Sequence, residues 1–164
     1  MLPRAPIEPE GTFAGLSASA ILLGALVDIA ATTIALTMVV LWLAPEVTSQ
    51  DQAASRRALE QCYASTAYVT ANLVLGALGT VLGAFVGARR AGQLHVRHGG
   101  WIAVASTAIG FLMSVLSAPA QVDATDPLWA QVLAWLLILP AGMIGGALAA
   151  ALPAAPRGPK TRYP

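Results

Sequence analysis

Few residues of this 164-residue chain have the type and spacing to do chemistry. Asp28 is the sharpest, because it is the only charged residue between Gly11 and Pro45 and lies midway along that apolar stretch. Insertion scales put an aspartate at the bilayer centre at about +2.5 to +3.5 kcal/mol, so it needs a proton, a partner or water. At helical spacing around it stand Gly24, Ala31, Thr32 and Ala35, a small and polar stripe suited to protein contact rather than lipid. Asn72, Ser106, Thr107 and Ser114 are hydrogen-bonding side chains that other apolar stretches could bring to it. Two roles follow. Asp28, with Thr32, Asn72 and Thr107, forms a proton or cation site on a path, or a neutral, hydrogen-bonded Asp28 only fixes packing. The lack of a second acid or base inside an apolar stretch favours the latter.

The remaining candidates are weaker. His95 and His98, three apart and without a nearby Cys, Asp or Glu, make an incomplete metal site. Cys62 has no close basic neighbour but Arg57, and as the one cysteine it excludes an intramolecular disulfide. No aspartate dyad, Gly-x-Ser-x-Gly, Walker sequence or His-Glu-x-x-His occurs. We therefore expect no enzyme, no catalytic residue, no metal and no cofactor.

Composition narrows the class further. Apolar residues make up 57% of the chain and charged ones 10%, against about 25% charged in an average soluble domain. A net charge of +1 also removes the footprint of a nucleic-acid binder. Charges are missing, Asp28 aside, from four long stretches, each able to cross a core of roughly 30 Å. The expected fold is an all-α membrane protein with four transmembrane helices, at about 13–44, 63–88, 100–118 and 128–152. None of these stretches alternates over about 10 residues as a barrel strand would. The first is too long for a secretory signal, whose apolar region spans about 7 to 15 residues.

Lysine and arginine set the orientation. Arg4, Arg89, Arg90, Arg97, Arg157, Lys160 and Arg162 fall on one side, and Arg56 and Arg57 on the other. That bias predicts a plasma (inner) membrane protein with both termini cytoplasmic. Residues 153–164, with four prolines and three basic residues, read as a disordered tail against anionic lipid headgroups. Residues 51–60 are good helix formers with Thr48 or Ser49 as N-cap. Since no proline or glycine lies between Gln50 and Leu75, the second helix is expected to project out of the membrane.

Small residues mark the packing faces. Gly76, Gly79, Gly83 and Gly87 share a face of helix two, and Ser106, Thr107 and Gly110 a face of helix three. Helix four carries Gly142 and Gly146 after Pro140, which predicts a kink. Gly79, Gly83, Ala84 and Ala88 recur as Gly142, Gly146, Ala147 and Ala151 at a constant offset of 63, suggesting two similar hairpins in one orientation.

The run Gly83-Ala84-Phe85-Val86-Gly87-Ala88-Arg89-Arg90-Ala91-Gly92, followed after five residues by His98-Gly99, resembles the signature of a group of small, uncharacterised bacterial four-helix membrane proteins. The resemblance implies that architecture and a contact between Arg89 and His98 in the turn; it implies no activity. Departures are Ala84 and Ala88, where glycine is frequent in the group, and the extra Arg90 and Arg97. The leading expectation is a non-catalytic membrane protein packing with itself or with other membrane subunits. A small transporter or channel with its site at Asp28 is the alternative.

Overall fold

The protein is described by a computed structural model over residues 14–117 and 127–153. The five helices are α1 (Ala18–Leu43), α2 (Gln52–Ala64), α3 (Thr66–Ala91), α4 (His95–Ser117) and α5 (Leu128–Ala151). All but α2 are long and apolar enough to cross a membrane, and no strand occurs among the described residues. This is the expected all-α, four-span fold. The predicted basic tail lies outside the described residues.

Helix boundaries follow local hydrogen bonding more than hydropathy. The Ser17 hydroxyl accepts from the Ala20 N–H at 3.4 Å, so α1 starts at Ala18 rather than near residue 13. Asp51, not Thr48 or Ser49, caps α2 by accepting from the Ala53 N–H at 2.9 Å. Thr48 instead closes a short 3-10 turn over Pro45–Thr48 by donating to Pro45 O. The expected continuous second helix is broken at Ser65, which is extended (φ −76°, ψ 139°). Its hydroxyl donates to Cys62 O at 2.7 Å and accepts from the Tyr68 N–H at 3.2 Å, ending one helix and starting the next. Gly92, left-handed at φ +72°, ends α3, and Leu94 follows at φ +49°. Hence α4 begins at His95 rather than at residue 100, and both histidines are helical. α5 runs on through Pro140.

Close approach of backbones holds the bundle together at the end that carries Arg89 and Arg90. A Cβ added at Gly83 would strike the Gly24 carbonyl oxygen, and one at Gly87 would strike Ala20 O and Ile102. α3 thus presses its glycine face on α1. In the second hairpin Gly142 sits against Gly99 and Gly146 against the His95 carbonyl. The two hairpins correspond: Gly83 meets Gly24 where Gly146 meets His95, and Gly79 meets Asp28 where Gly142 meets Gly99. First-helix partners move from 24 to 95 and from 28 to 99, a shift of 71 each time. Gly76 and Gly110, also expected to pack, have nothing within 4 Å of an added Cβ.

The opposite end is looser. Residues 110–116 of α4 and 131–137 of α5 are exposed on every side, through nearly two turns each. α3 touches the other three spanning helices, whereas α1 and α5 do not touch one another. A small separate cluster of Val40, Ala44 and Cys62, flanked by Leu59, Tyr63 and Tyr68, seats α2 on this end. The outer face of α2 is polar, with Arg56 and Glu60 paired at 3.0 Å.

Gly83→Ala should therefore lower stability by about 1–3 kcal/mol through forced separation of α1 and α3. Gly110→Ala should change it by less than about 0.5 kcal/mol. Equilibrium unfolding in mixed detergent micelles measures both, and equal losses would contradict this packing.

Candidate functional site

Asp28 lies where the closed and open halves of the bundle meet. Helix α1 presents it toward α3, because Gly79 and Gly83 leave room there for a carboxyl and no lipid-facing side chain intervenes. It is 5% exposed. Oδ2 is 3.0 Å from Thr80 Oγ1 on α3, and Oδ1 accepts from Thr32 Oγ1 one turn along α1 at 3.3 Å. Thr80 Oγ1 is also 3.0 Å from the Gly76 carbonyl. A hydroxyl has one proton to give, so both Thr80 contacts are satisfied together when the carboxyl carries a proton and donates it to Thr80. With an ionised carboxyl, Thr80 must choose between Asp28 and Gly76.

Beside this pair, on the side away from the arginines, is a cavity of about 290 Å³. Asp28, Thr80 and Ser106 form its polar end, and Ile29, Leu73 and Leu137 are among its hydrocarbon walls. Ser106 Oγ, one of the partners expected for Asp28, is buried there beside the carboxyl, though not in close hydrogen-bond geometry with it. Below the polar end the helices close: Gly24, Ala84, Ile102 and Ala103 are all buried.

The predicted set of Asp28, Thr32, Asn72 and Thr107 is brought together, since all four line this one cavity. Thr107 nevertheless donates within its own helix, to Ala103 O at 2.8 Å. Ser114, offered as a partner for Asp28, donates to Phe111 O on an exposed turn instead. Thr80 is the partner that sequence reasoning missed. Its signal is adjacency to Gly79: the glycine that admits α1 also brings the next residue's hydroxyl to whatever α1 carries.

The turn residues have partners other than those expected. Arg89 does not meet His98. Its guanidinium donates to Leu152 O at 3.3 Å and Pro153 O at 3.0 Å, capping α5, and lies 5.8 Å from the centroid of Phe85. His98 is fully buried; its Nε2 accepts from the Ser17 N–H at 2.9 Å, while Nδ1 lies 3.1 Å from Leu94 O. That pairing fixes a tautomer with the proton on Nδ1 and ties the entry of α1 to the first turns of α4. Arg90 is exposed, in position for lipid headgroups. Cys62 is buried under α2, and burial pushes its thiol up, so it acts as a small apolar side chain rather than a nucleophile. Among the described residues no three His, Cys, Asp or Glu side chains converge as metal ligands.

No protein-family model, curated protein or solved structure matches the chain.

The Asp28–Thr80 contact should appear as thermodynamic coupling. In a cycle of Asp28→Leu and Thr80→Val, the two losses should be non-additive by about 0.6–1.7 kcal/mol, the range for hydrogen bonds between membrane helices. Strict additivity in micelle unfolding would show that the two side chains do not interact.

Proposed function

We propose that this integral membrane protein binds a small cation at Asp28 and passes it between the cavity and the arginine-bearing side. One observation carries the reading: the only acid of the described spanning segments sits at the closed end of a 290 Å³ cavity, with the Ser106 hydroxyl buried beside it. A carboxyl retained for packing alone needs no cavity next to it. A cation entering the cavity would find a carboxylate once the proton leaves, with Thr32 and Thr80 hydroxyls placed to hold it. The arginine distribution supports a plasma-membrane orientation in which the cavity opens away from the cytoplasm. Passage then needs the glycine-packed half to loosen, and its contacts of backbone on backbone leave little side-chain interlocking to undo.

A second reading has its own observation. The all-round exposure of residues 110–116 and 131–137 supports packing of these apolar turns against a second copy or another membrane subunit. The two readings are compatible, because the exposed turns and the polar end of the cavity are different parts of the bundle. We retain for the protein a non-catalytic role and kinship with the small bacterial four-helix group as further elements of the proposal.

Flux decides the first reading. In liposomes, Asp28→Asn should abolish proton or cation passage while leaving the mass of the purified protein in mild detergent unchanged. Equal flux in the variant and the parent would overturn a role for Asp28. The same mass measurement tests the second reading, since a species of one chain in native detergent would contradict it.

A further inference from the structure

We propose that the cation taken at Asp28 is a small organic ammonium rather than a metal ion, and that it enters from the α2 end past Tyr63 and Tyr68. This rests on the reading of Asp28 given above and adds the class of ligand and its route.

Size and wall chemistry point to an organic body. A water molecule's share of liquid volume is about 30 Å³, so 290 Å³ holds a ligand of roughly ten non-hydrogen atoms. A dehydrated metal ion fills a small part of that space and asks for six or more oxygen ligands arranged around it. Here the one charged oxygen pair is that of Asp28, the other polar atoms belong to scattered hydroxyls and Asn72, and Ile29, Leu73, Ala77, Leu137 and Ile138 supply hydrocarbon between them. A bulky ammonium head needs only one carboxylate as its charge partner. Asp28 provides it, while the apolar wall suits the rest of the molecule.

The route is a second cavity of about 350 Å³ that adjoins the first at Thr33, which lines both. It runs along one face of α1 through Thr33, Leu36, Thr37 and Val40 to Tyr63 on α2 and Tyr68 on α3. The two rings stand with centroids 4.8 Å apart and planes tilted by 54°. Aromatic faces attract organic cations, and among the described residues no lysine or arginine lines either cavity to repel one. Among the described residues lining the two cavities, the carboxyl at the far end is the only acid. A charge gradient therefore leads inward from rings to carboxylate.

The test uses the full chain and benzyltrimethylammonium, whose charge does not depend on pH. Purified protein in mild detergent is titrated with that cation, with Na⁺ and with K⁺, and uptake of labelled benzyltrimethylammonium is followed in liposomes. Saturable binding is expected, weakened at least tenfold by Asp28→Asn. Tyr63→Leu and Tyr68→Leu should each slow uptake about two- to fivefold, the worth of one exposed cation–π contact. Tyr63→Phe and Tyr68→Phe, which keep the ring, should restore the parental rate. If Na⁺ or K⁺ binds in an Asp28-dependent manner and benzyltrimethylammonium does not, the ligand class is wrong while the role of Asp28 survives. If no cation binds, the reading of Asp28 itself fails. Benzyltrimethylammonium binding with uptake rates unchanged in both leucine variants overturns the tyrosine route.

Discussion

The contact of backbone on backbone between Gly24 of α1 and Gly83 of α3 governs this structure. Lipid removes the hydrophobic contrast that drives helices together in water, so dispersion and polar contacts at short range must do it. Only glycine lets the two helices come near enough, and the tight approach is confined to the half of the bundle near Arg89. Once α1 and α3 meet there, everything along them is positioned: Asp28 four residues beyond Gly24, Thr80 three before Gly83, and Ile102 of α4 wedged against both glycine faces. The opposite half lacks such contacts, and the space left between α1 and α5 becomes the cavity. A closed half and an open half are two outcomes of one distribution of small residues.

The two hairpins use this device in parallel, but with different cargo. Where α3 meets α1 at Gly79, it finds a carboxyl and a threonine; where α5 meets α4 at Gly142, it finds Gly99 and Ala103. The second hairpin is therefore pure packing at the level where the first carries its acid. Arg89 adds a link between them, since it leaves α3 to cap the end of α5 at Leu152 and Pro153. These carbonyls lie at and just past the C-cap, beside the negative end of the helix dipole, and one guanidinium takes both.

Much of the fold was legible in the sequence because hydropathy and charge act over whole helices. Four gaps in the charges gave four spans, and the 63-residue offset pointed to hairpins whose glycines do take equivalent places. What escaped depended on single hydrogen bonds. Ser65 breaks a stretch without proline or glycine by offering its hydroxyl to two backbone groups, and no average over neighbours registers that. The start of α4 at His95 was hidden because histidine and arginine read as loop, whereas His98 is polar only toward one amide, that of Ser17. At the site, the cluster of Asp28, Thr32, Asn72 and Thr107 was recoverable from depth along each helix. Thr80 was not, because its role depends on which face of α3 meets α1, and Gly76 and Gly110 show that a glycine on the right stripe does not guarantee a neighbour.

The bond from Ser17 to His98 joins residues 81 positions apart, and this bears on how the protein is made. A chain grows at about 5–20 residues per second, so roughly 4–16 s separate the emergence of the donor from that of its acceptor. During that interval α1 and then α3 are already available to the membrane, while the first turn of α1 has no histidine to receive its amide. Until α4 arrives that amide must find another acceptor. Arrival of the third span is thus the step at which the Ser17 amide gains its acceptor, and the order of synthesis sets when that bond can form.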